Sequence, residues 1–287
     1  MFRILREQNK VYLLFTVLSL SFQSTKAQKW EIGGLLGASN YIGDISKDPN
    51  IKQTKPAVNF WVRYNLDRHF SYRMGLGYGK VAATDSLYSG NKLRGLNFRS
   101  NIIEFSNIFE FHYNPFGRAH PQNKRSTFYV LSGISFFYFN PQGKLNGKWI
   151  SLQPLGTEGQ NLDAGHGPYS KISISVPMGA GVKYKLTPNW IFGFEVGYRY
   201  TFTDYLDDVS GTYPSLAELR ATNGGAAVAF SDPTSRTLPQ AQSTKGDMRG
   251  DPHTKDWYIF SGVTISYRFT PIRCWDTRKR KRFNLVD

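Results

Sequence analysis

The most restrictive feature of the sequence is an alternating stretch near its end, residues 256–269. One set of alternate positions is apolar apart from Ser261, and the other set is small or polar from Gly262 onward. A period of two predicts a β-strand with one apolar face. Aromatic residues stand at both ends of the strand, as Trp257 and Phe269. A strand of this length with an apolar face and aromatic ends is typical of a bilayer-spanning barrel.

A strand of this kind constrains the rest of the chain, because an open sheet edge cannot lie in lipid. The alternation recurs along the chain and predicts eight strands, at 30–39, 56–66, 70–79, 99–113, 127–140, 172–186, 190–202 and 257–269. The segment 127–140 is apolar on both faces, so its register stays open. Pro177 cannot donate a ladder hydrogen bond, and we expect a bulge there. No amphipathic pattern of helix length competes with the strands.

The connections between these strands alternate in length. They are short or moderate after the second, fourth and sixth strands and long after the others. An even strand number with this alternation predicts an all-β fold, an eight-stranded antiparallel transmembrane β-barrel of the outer membrane. The long loops are then extracellular, and the N- and C-termini of the chain are both periplasmic. A mean hydropathy of −0.42 does not oppose this, since inward faces and loops of such barrels are polar.

The first residues are typical of a cleaved signal peptide. Arg3, Arg6 and Lys10 precede an apolar core over 11–22, and small residues near Ala27 offer a cleavage site. A short membrane anchor is the alternative, but the apolar run is too short to span a bilayer comfortably. We therefore divide the chain into a signal peptide at 1–27, a barrel at 28–270 and a basic periplasmic tail at 271–287.

The chain is basic, with a formal net charge of +15. The predicted signal peptide carries four basic residues and one acidic residue, which leaves +12 for the rest. Export and barrel patterning argue against a nucleic-acid partner, so outer-membrane lipid with anionic headgroups or an acidic protein is expected instead. Cys274 is the only cysteine and excludes an internal disulfide.

The predicted inward faces carry a nearly balanced set of charges. An eight-stranded barrel has an interior just wide enough for side chains to fill, and buried charges must be paired. The pattern therefore predicts a structural plug and argues against a diffusion pore. The charged inward residues are Glu31, Glu104, Glu110, Glu195, Arg63, Arg73, Lys183, Arg199 and Arg268.

His112 is the candidate residue for a catalytic role. This histidine shares the inward face with Glu110 and Ser106, and lipid-modifying barrel enzymes need a histidine with such partners. Alternation places such trios often, so we expect no enzymatic activity. Asp207 and Asp208 would point to opposite faces of a strand and are expected to begin a solvated loop. The sequence shows no metal-ligand spacing and no cofactor motif.

Two segments, Ala38–Ile45 and Tyr198–Tyr213, resemble the PorG-like outer-membrane barrels of the type IX secretion system. The motif residues are Tyr41, Gly43, Asp44, Asp204, Asp207 and Asp208. The resemblance implies a non-enzymatic component of protein transport that anchors or contacts a periplasmic ring of PorK and PorN type. The system exports proteins with a C-terminal sorting signal, and in some bacteria it supports gliding motility. The alternatives are a stand-alone OmpA-type structural barrel and a lipid-modifying enzyme.

The motif residues also have a physical interpretation. Gly43 is expected to adopt a turn conformation that other residues resist, with Asp44 bonding nearby backbone. We expect the two motifs to meet at the extracellular rim and to order the loops. The acids Asp204, Asp207 and Asp208 make a calcium site conceivable, although no ligand spacing supports it.

The sequence of the tail after Pro271 indicates a contact site for a partner. Its basic run and Trp275 suit docking to an acidic periplasmic protein, and Cys274 is a candidate for an intermolecular disulfide. The alternative is a disordered tail that rests on anionic lipid. The proposed contact residues are Cys274, Trp275, Arg278, Lys279, Arg280, Lys281 and Arg282.

Overall fold

The structure is a computed structural model that describes residues 29–87, 94–117, 124–160, 162, 167–234 and 242–269. The predicted signal peptide lies outside these residues. So does the tail with its proposed contact residues, Cys274, Trp275, Arg278, Lys279, Arg280, Lys281 and Arg282.

The described chain is built mainly of antiparallel strands. The strands are β1 (Trp30–Ile42), β2 (Lys55–Asn65), β3 (Phe70–Thr84), β4 (Asn97–His112), β5 (Ser126–Leu145), β6 (Lys148–Ser151), β7 (Ile172–Lys185), β8 (Trp190–Thr201) and β9 (Trp257–Arg268). An α-helix, α1 (Leu216–Ser231), lies between β8 and β9. Single 3-10 turns occur at Ile51–Gln53, Asp85–Leu87 and Gln153–Leu155.

Eight of the strands close into a barrel. The hydrogen-bonded order is β4-β3-β2-β1-β9-β8-β7-β5, and β5 pairs with β4 to complete the cylinder. The short strand β6 pairs with β5 alone. The predicted eight-stranded antiparallel barrel is confirmed, although β3 and β5 continue several residues beyond their predicted ends. We call the end with the short connections the turn end and the other the loop end; both Trp30 and Arg268 lie at the turn end.

The outer face of the barrel is an exposed apolar belt. Outward residues such as Leu36 and Phe60 are 72% and 68% exposed. A contiguous apolar surface around a whole cylinder is incompatible with water and matches the lipid-facing belt of an outer-membrane barrel. Aromatic rings border the belt at both ends, with Trp190 at the turn end and Trp257 at the loop end. The protein is therefore an outer-membrane type of barrel.

Two details of β5 and β7 follow from their pairing. The alternation in β5 places Tyr129 and Phe137 inside, which settles the register that the sequence left open. The predicted bulge at Pro177 is wrong, because Ser132↔Met178 and Ser135↔Ser175 belong to one continuous register. The two residue pairs that lie between these positions are missing from the ladder of β5 and β7. The missing N–H of proline thus removes ladder bonds without the insertion of an extra residue.

The long connections contain structure that alternation could not reveal. Residues Asn146 and Gly147 form the left-handed turn of the β5–β6 hairpin, with φ of 49° and 82°. The β8–β9 connection contains a helix that no amphipathic pattern marks in the sequence; Ser215 caps α1, and Gly224 interrupts it at φ 82°. The helix sequence is rich in alanine and glycine and lacks an apolar stripe. Within the described ranges, no helix is long and apolar enough to cross a membrane.

Candidate functional site: the filled interior and the loop cap

The turn-end half of the interior is filled by charged side chains from seven strands. Period-two alternation turns these residues inward, and all of them are buried, as predicted. They are Glu31 on β1, Arg63 on β2, Arg73 on β3, Glu110 on β4, Lys183 on β7, Glu195 on β8 and Arg268 on β9.

Glu110 is the centre of this charged cluster. Its carboxylate accepts from Arg63 Nη2 at 3.0 Å, lies 3.1 Å from Arg73 Nη1 and also accepts from Lys183 Nζ. Arg73 in turn donates two parallel hydrogen bonds of 2.7 Å to Glu195. Such bidentate, charge-assisted pairs fix side-chain geometry. The cluster therefore joins β2, β3, β4, β7 and β8 across the barrel axis.

A second set of contacts stabilises the seam between the first and last strands. Glu31 pairs with Arg63 and accepts from Ser266 Oγ at 2.6 Å and from Arg268 Nη2 at 3.2 Å. Higher in the barrel, Glu104 accepts from Arg199 Nε at 3.0 Å and from the hydroxyl of Tyr258 at 2.7 Å. Each of the four glutamates inside the barrel thus has a cationic partner, in accord with the predicted plug.

The loop-end half of the interior is apolar. Aromatic side chains fill it and form one continuous core with residues of the loops, among them Phe98, Phe137, Phe139, Tyr258 and Phe260. Arg199 lies against the ring of Phe260 at 4.6 Å, where the charged layer meets the apolar layer. The interior is therefore occupied along its length by ionic and then by aromatic side chains.

The predicted trio of His112, Glu110 and Ser106 is not assembled for catalysis. His112 is buried with Nε2 3.0 Å from Lys183 Nζ and 3.4 Å from Glu110. Ser106 lies farther along β4, where its hydroxyl contacts the carbonyl of Gly75 at 3.5 Å. Nε2 of His112 thus faces the ammonium group of Lys183, and the hydroxyl of Ser106 contacts backbone instead.

Above the aromatic layer, the loops fold into a compact cap in which the two sequence motifs meet. The hydroxyl of Tyr41 lies 2.5 Å from Asp207 Oδ2 and 2.8 Å from Asp256 Oδ1. One hydroxyl proton cannot serve two carboxylates at once. Burial, together with the charge of the facing carboxylate, raises the pKa of Asp207 well above its usual value, and burial does the same for Asp256.

The first motif does not have the two local roles expected of it. Gly43 is required because a side chain would not fit, and Asp44 contacts a segment that is distant in sequence. Gly43 is not in a left-handed conformation; a Cβ at this position would overlap Asp256 and the hydroxyl of Tyr41. Asp44 accepts from the backbone N–H of Asp251 at 3.1 Å, far away in sequence. Burial raises the pKa of Asp44 to about 6.

The side chains of the second motif are buried, so the prediction that Asp207 and Asp208 begin a solvated loop is wrong. Asp207 and Asp208 are 1% and 0% exposed. Asp208 has a φ of 70°, so the chain leaves the strand geometry that would send the two side chains apart. It accepts from Thr157 Oγ1 at 2.5 Å and Tyr169 Oη at 2.6 Å, and burial raises its pKa to about 6. Asp204 accepts from Ser210 Oγ at 2.7 Å.

Two arginines that the sequence did not single out connect the loops. Buried Arg249 donates to Glu158 Oε1 at 2.9 Å and to the carbonyl of Ser231 at 3.1 Å. Arg94 makes two bonds of 2.8 Å with Asp85 and a third to the carbonyl of Arg249. Neither arginine follows a periodic pattern, so only their loop positions distinguish them in sequence. The cap is therefore a hydrogen-bonded unit that draws on every long connection.

The cap acids do not form a metal centre in the described part of the chain, where no group of three or more His, Cys, Asp or Glu side chains has a suitable arrangement. The carboxylates bind hydroxyls, backbone N–H groups and arginines instead, as described above. The conceivable calcium site gains no support from this geometry.

Comparison with known sequences gives one family. A model of the family described as "Domain of unknown function (DUF6089)" matches residues 9–225. Comparison with curated proteins gives no match.

Solved structures similar to the chain include small barrels from several bacteria. Ail of Yersinia pestis is 12% identical, with a TM-score of 0.40, over 84% of this chain and 98% of that one. Neisserial surface protein A is 11% identical, with a TM-score of 0.40, over 84% and 97%. The outer membrane protein OprG of Pseudomonas aeruginosa is 11% identical, with a TM-score of 0.39, over 87% and 99%.

Proposed function

The chain belongs to the DUF6089 family, and we propose that it is a non-enzymatic, non-conducting outer-membrane barrel that anchors a protein assembly. The observation that carries this proposal is the filled interior. Glu110, Arg73 and Glu195 join opposite walls of the barrel, and aromatic rings fill the space between them and the cap. A barrel without a free lumen is suited to holding a position in the membrane rather than to conduction.

The assembly that we propose is the type IX secretion system. The proposal is supported by the resemblance of segments 38–45 and 198–213 to PorG-like barrels. Both segments lie within the matched region, and they contact each other through Tyr41 and Asp207. In this proposal the barrel anchors or contacts a periplasmic ring of PorK and PorN type, with both chain ends in the periplasm. The tail at 271–287, with Cys274 and Trp275, is the proposed contact.

Deletion of the gene tests the secretion role directly. Cargo with a C-terminal sorting signal is expected to accumulate in the periplasm, and the full chain is expected to restore its export. A chain that ends after residue 270 serves as the matched variant: it keeps the barrel and lacks the proposed contact. Normal export in the deletion strain contradicts the proposal. Restoration by the shortened chain contradicts only the role of the tail.

The second candidate is a stand-alone structural barrel of the OmpA membrane-domain type, which the filled interior supports equally. Crosslinking of intact envelopes followed by purification of the barrel separates the two. A ring lipoprotein recovered in stable amounts supports the secretion role, and recovery of the barrel alone supports the stand-alone role. The third alternative, a lipid-modifying enzyme, requires activity on lipid A that a His112→Ala chain loses.

A further inference from the structure

On one side of the barrel, the sheet continues well beyond the apolar belt. The last apolar outward row at the loop end is Tyr78, Ile103 and Tyr138, which are neighbours across β3, β4 and β5. Three further outward rows follow, at residues 80, 101 and 140, then 82, 99 and 142, then 84, 97 and 144. At about 3.3 Å per residue, these strands project about 20 Å beyond the belt along their own direction.

The projecting face is strongly basic. We call it the basic flank and define it by Lys80, Arg99 and Lys144, which are outward on β3, β4 and β5, and by Lys52 and Lys55, which line the adjoining cleft. In the surrounding described residues, 46–58, 78–87, 94–103 and 138–151, the acids are Asp48 and Asp85. Asp85 is buried and paired with Arg94, which leaves Asp48 as the one exposed acid of those ranges. The cap beside the flank, by contrast, is rich in carboxylates.

Arg99 is held in position at the centre of the basic flank. Its Cζ lies 4.1 Å from the centre of the Trp149 ring, and its Nε donates to Gln142 Oε1 at 3.0 Å. Among the described residues, Gln142 alone accepts from this guanidinium. The group is therefore oriented by the protein while its two terminal nitrogens remain available, which is the arrangement that favours bidentate binding of a phosphate.

Two lysines lie close to this arginine. Arg99 pairs with Ala82 on β3 and with Gln142 on β5, so outward Lys80 and Lys144 are each one diagonal step away. Diagonal neighbours on one face are about 7–8 Å apart, within reach of long side chains. An open cleft of about 600 Å³ adjoins them, lined by Lys52, Lys55, Lys144 and Trp149 among others.

We propose that the basic flank binds the phosphate group of an anionic lipid whose acyl chains lie against the apolar belt below. Lys80 and Arg99 lie about 7 Å and 13 Å along their strands beyond the last apolar row. On strands tilted by about 40° these distances project to about 5 Å and 10 Å, so Lys80 lies in the region of the lipid headgroups, roughly 5–8 Å thick on each side of the hydrocarbon, and Arg99 lies at its outer edge. A lipid is favoured over an acidic protein because a headgroup always adjoins this face. The proposal does not depend on the secretion role.

Native mass spectrometry of the full-length protein in detergent micelles tests this site. The probe is phosphatidic acid, which carries a terminal phosphate, and the comparison lipid is phosphatidylcholine with the same acyl chains. We expect preferential retention of phosphatidic acid. A K80Q/R99Q/K144Q chain is expected to weaken that retention about tenfold or more, since each basic residue near a membrane surface contributes to anionic-lipid binding.

The matched control is a K171Q/R220Q/K245Q chain, which loses the same charge elsewhere at the loop end and should retain phosphatidic acid like the wild type. The heat-dependent gel mobility of each chain shows that it is folded. Equal retention by the flank variant and the control variant overturns the proposal. Inorganic phosphate added at the lipid concentration should not compete; if it displaces the lipid, recognition is of free phosphate and the lipid assignment is wrong.

Discussion

Tyr41 and Asp207, which are 166 positions apart in the sequence, are in contact in the loop cap through a hydrogen bond of 2.5 Å between the tyrosine hydroxyl and the carboxyl group. The same hydroxyl lies 2.8 Å from Asp256. One side chain at the end of β1 thereby joins the end of β8 to the start of β9. The cap is thus attached to the barrel wall at the point where its longest connection leaves and returns.

Replacement of Tyr41 by phenylalanine tests this attachment. The change removes the hydroxyl and leaves two buried acids without their shared partner, which costs about 1–3 kcal/mol. We expect faster cleavage of the β8–β9 connection by added protease. Tyr78→Phe is the matched control, because that hydroxyl makes an exposed contact of 3.4 Å with Asn101. Equal cleavage of the two variants would contradict a role for the Tyr41 contact in ordering the cap.

Replacement of Asp208 by alanine should also increase loop proteolysis. The change removes the acceptor for Thr157 and Tyr169 and places an alanine at a φ of 70°, where its Cβ is disfavoured. Asp208→Asn keeps an acceptor and tolerates this backbone, so it should be cleaved more slowly than the alanine variant. Unchanged cleavage of Asp208→Ala would count against an ordering role.

The stability of the cap should depend on pH through the same residue. Burial raises the pKa of Asp208 from its usual 3.8 to about 6, so the folded cap binds the proton more tightly than the unfolded chain. Its contribution is complete below about pH 4 and is lost as the pH rises to about 6, on the order of 3 kcal/mol. Hydrogen exchange of the loops between pH 4 and 7 measures this loss.

In Asp208→Asn the side chain is neutral throughout that range. The dependence should therefore become weaker, with a remainder from Asp44, whose pKa is also raised to about 6, and from Asp207 and Asp256, whose pKa values are raised as well. A cap that became more stable between pH 4 and 6 would contradict the direction that burial imposes on these carboxyl groups.

Replacement of Glu110 by alanine should destabilise the barrel strongly. The change leaves Arg63, Arg73 and Lys183 without their central carboxylate, and the breaking of a buried ion cluster costs about 3–5 kcal/mol. Ser106→Ala, on the same strand and the same face, loses a single long contact and should cost about 1 kcal/mol or less. Urea unfolding in detergent measures both, and similar losses for the two variants would contradict the central role of Glu110.

The cysteine in the tail gives a prediction that is independent of the barrel. If Cys274 forms a disulfide with a neighbouring chain, wild-type envelopes analysed without reductant should show a heavier band that contains this protein. A Cys274→Ser chain should lose that band while its amount in the membrane stays unchanged. A band that persists in the serine variant, or that withstands reductant in the wild type, would show that the crosslink does not involve this thiol.

Sequence alternation was sufficient to predict the barrel wall and its contents. A period of two assigns a face to every residue of a strand, and it correctly predicts that Glu110 and Arg73 point inward. The same rule failed for Asp207 and Asp208, because the left-handed backbone of Asp208 interrupts the alternation and both carboxylates are buried. Pairing between loops, as between Arg249 and Glu158, joins residues without any shared periodicity.

Local turn chemistry could have revealed more than alternation did. The Asn146-Gly147 pair is a strong hairpin signal, and it correctly marks the turn between β5 and β6. Gly43 illustrates the opposite limit. A side chain at this position would overlap Tyr41 and Asp256, which approach Gly43 only in the folded cap. No local sequence pattern could therefore have shown why glycine is needed here.

The pairing of the first and last strands imposes an order in time on the formation of this protein. β1 and β9 are hydrogen-bonded from Glu31↔Arg268 to Ile42↔Trp257, so the cylinder cannot close before the C-terminal strand has been synthesised and delivered. Until then, two strand edges with unpaired backbone groups remain open to mispairing. Contacts of such long sequence separation also form slowly. The unassembled chain must therefore be kept from aggregation until its last strand has paired with the first.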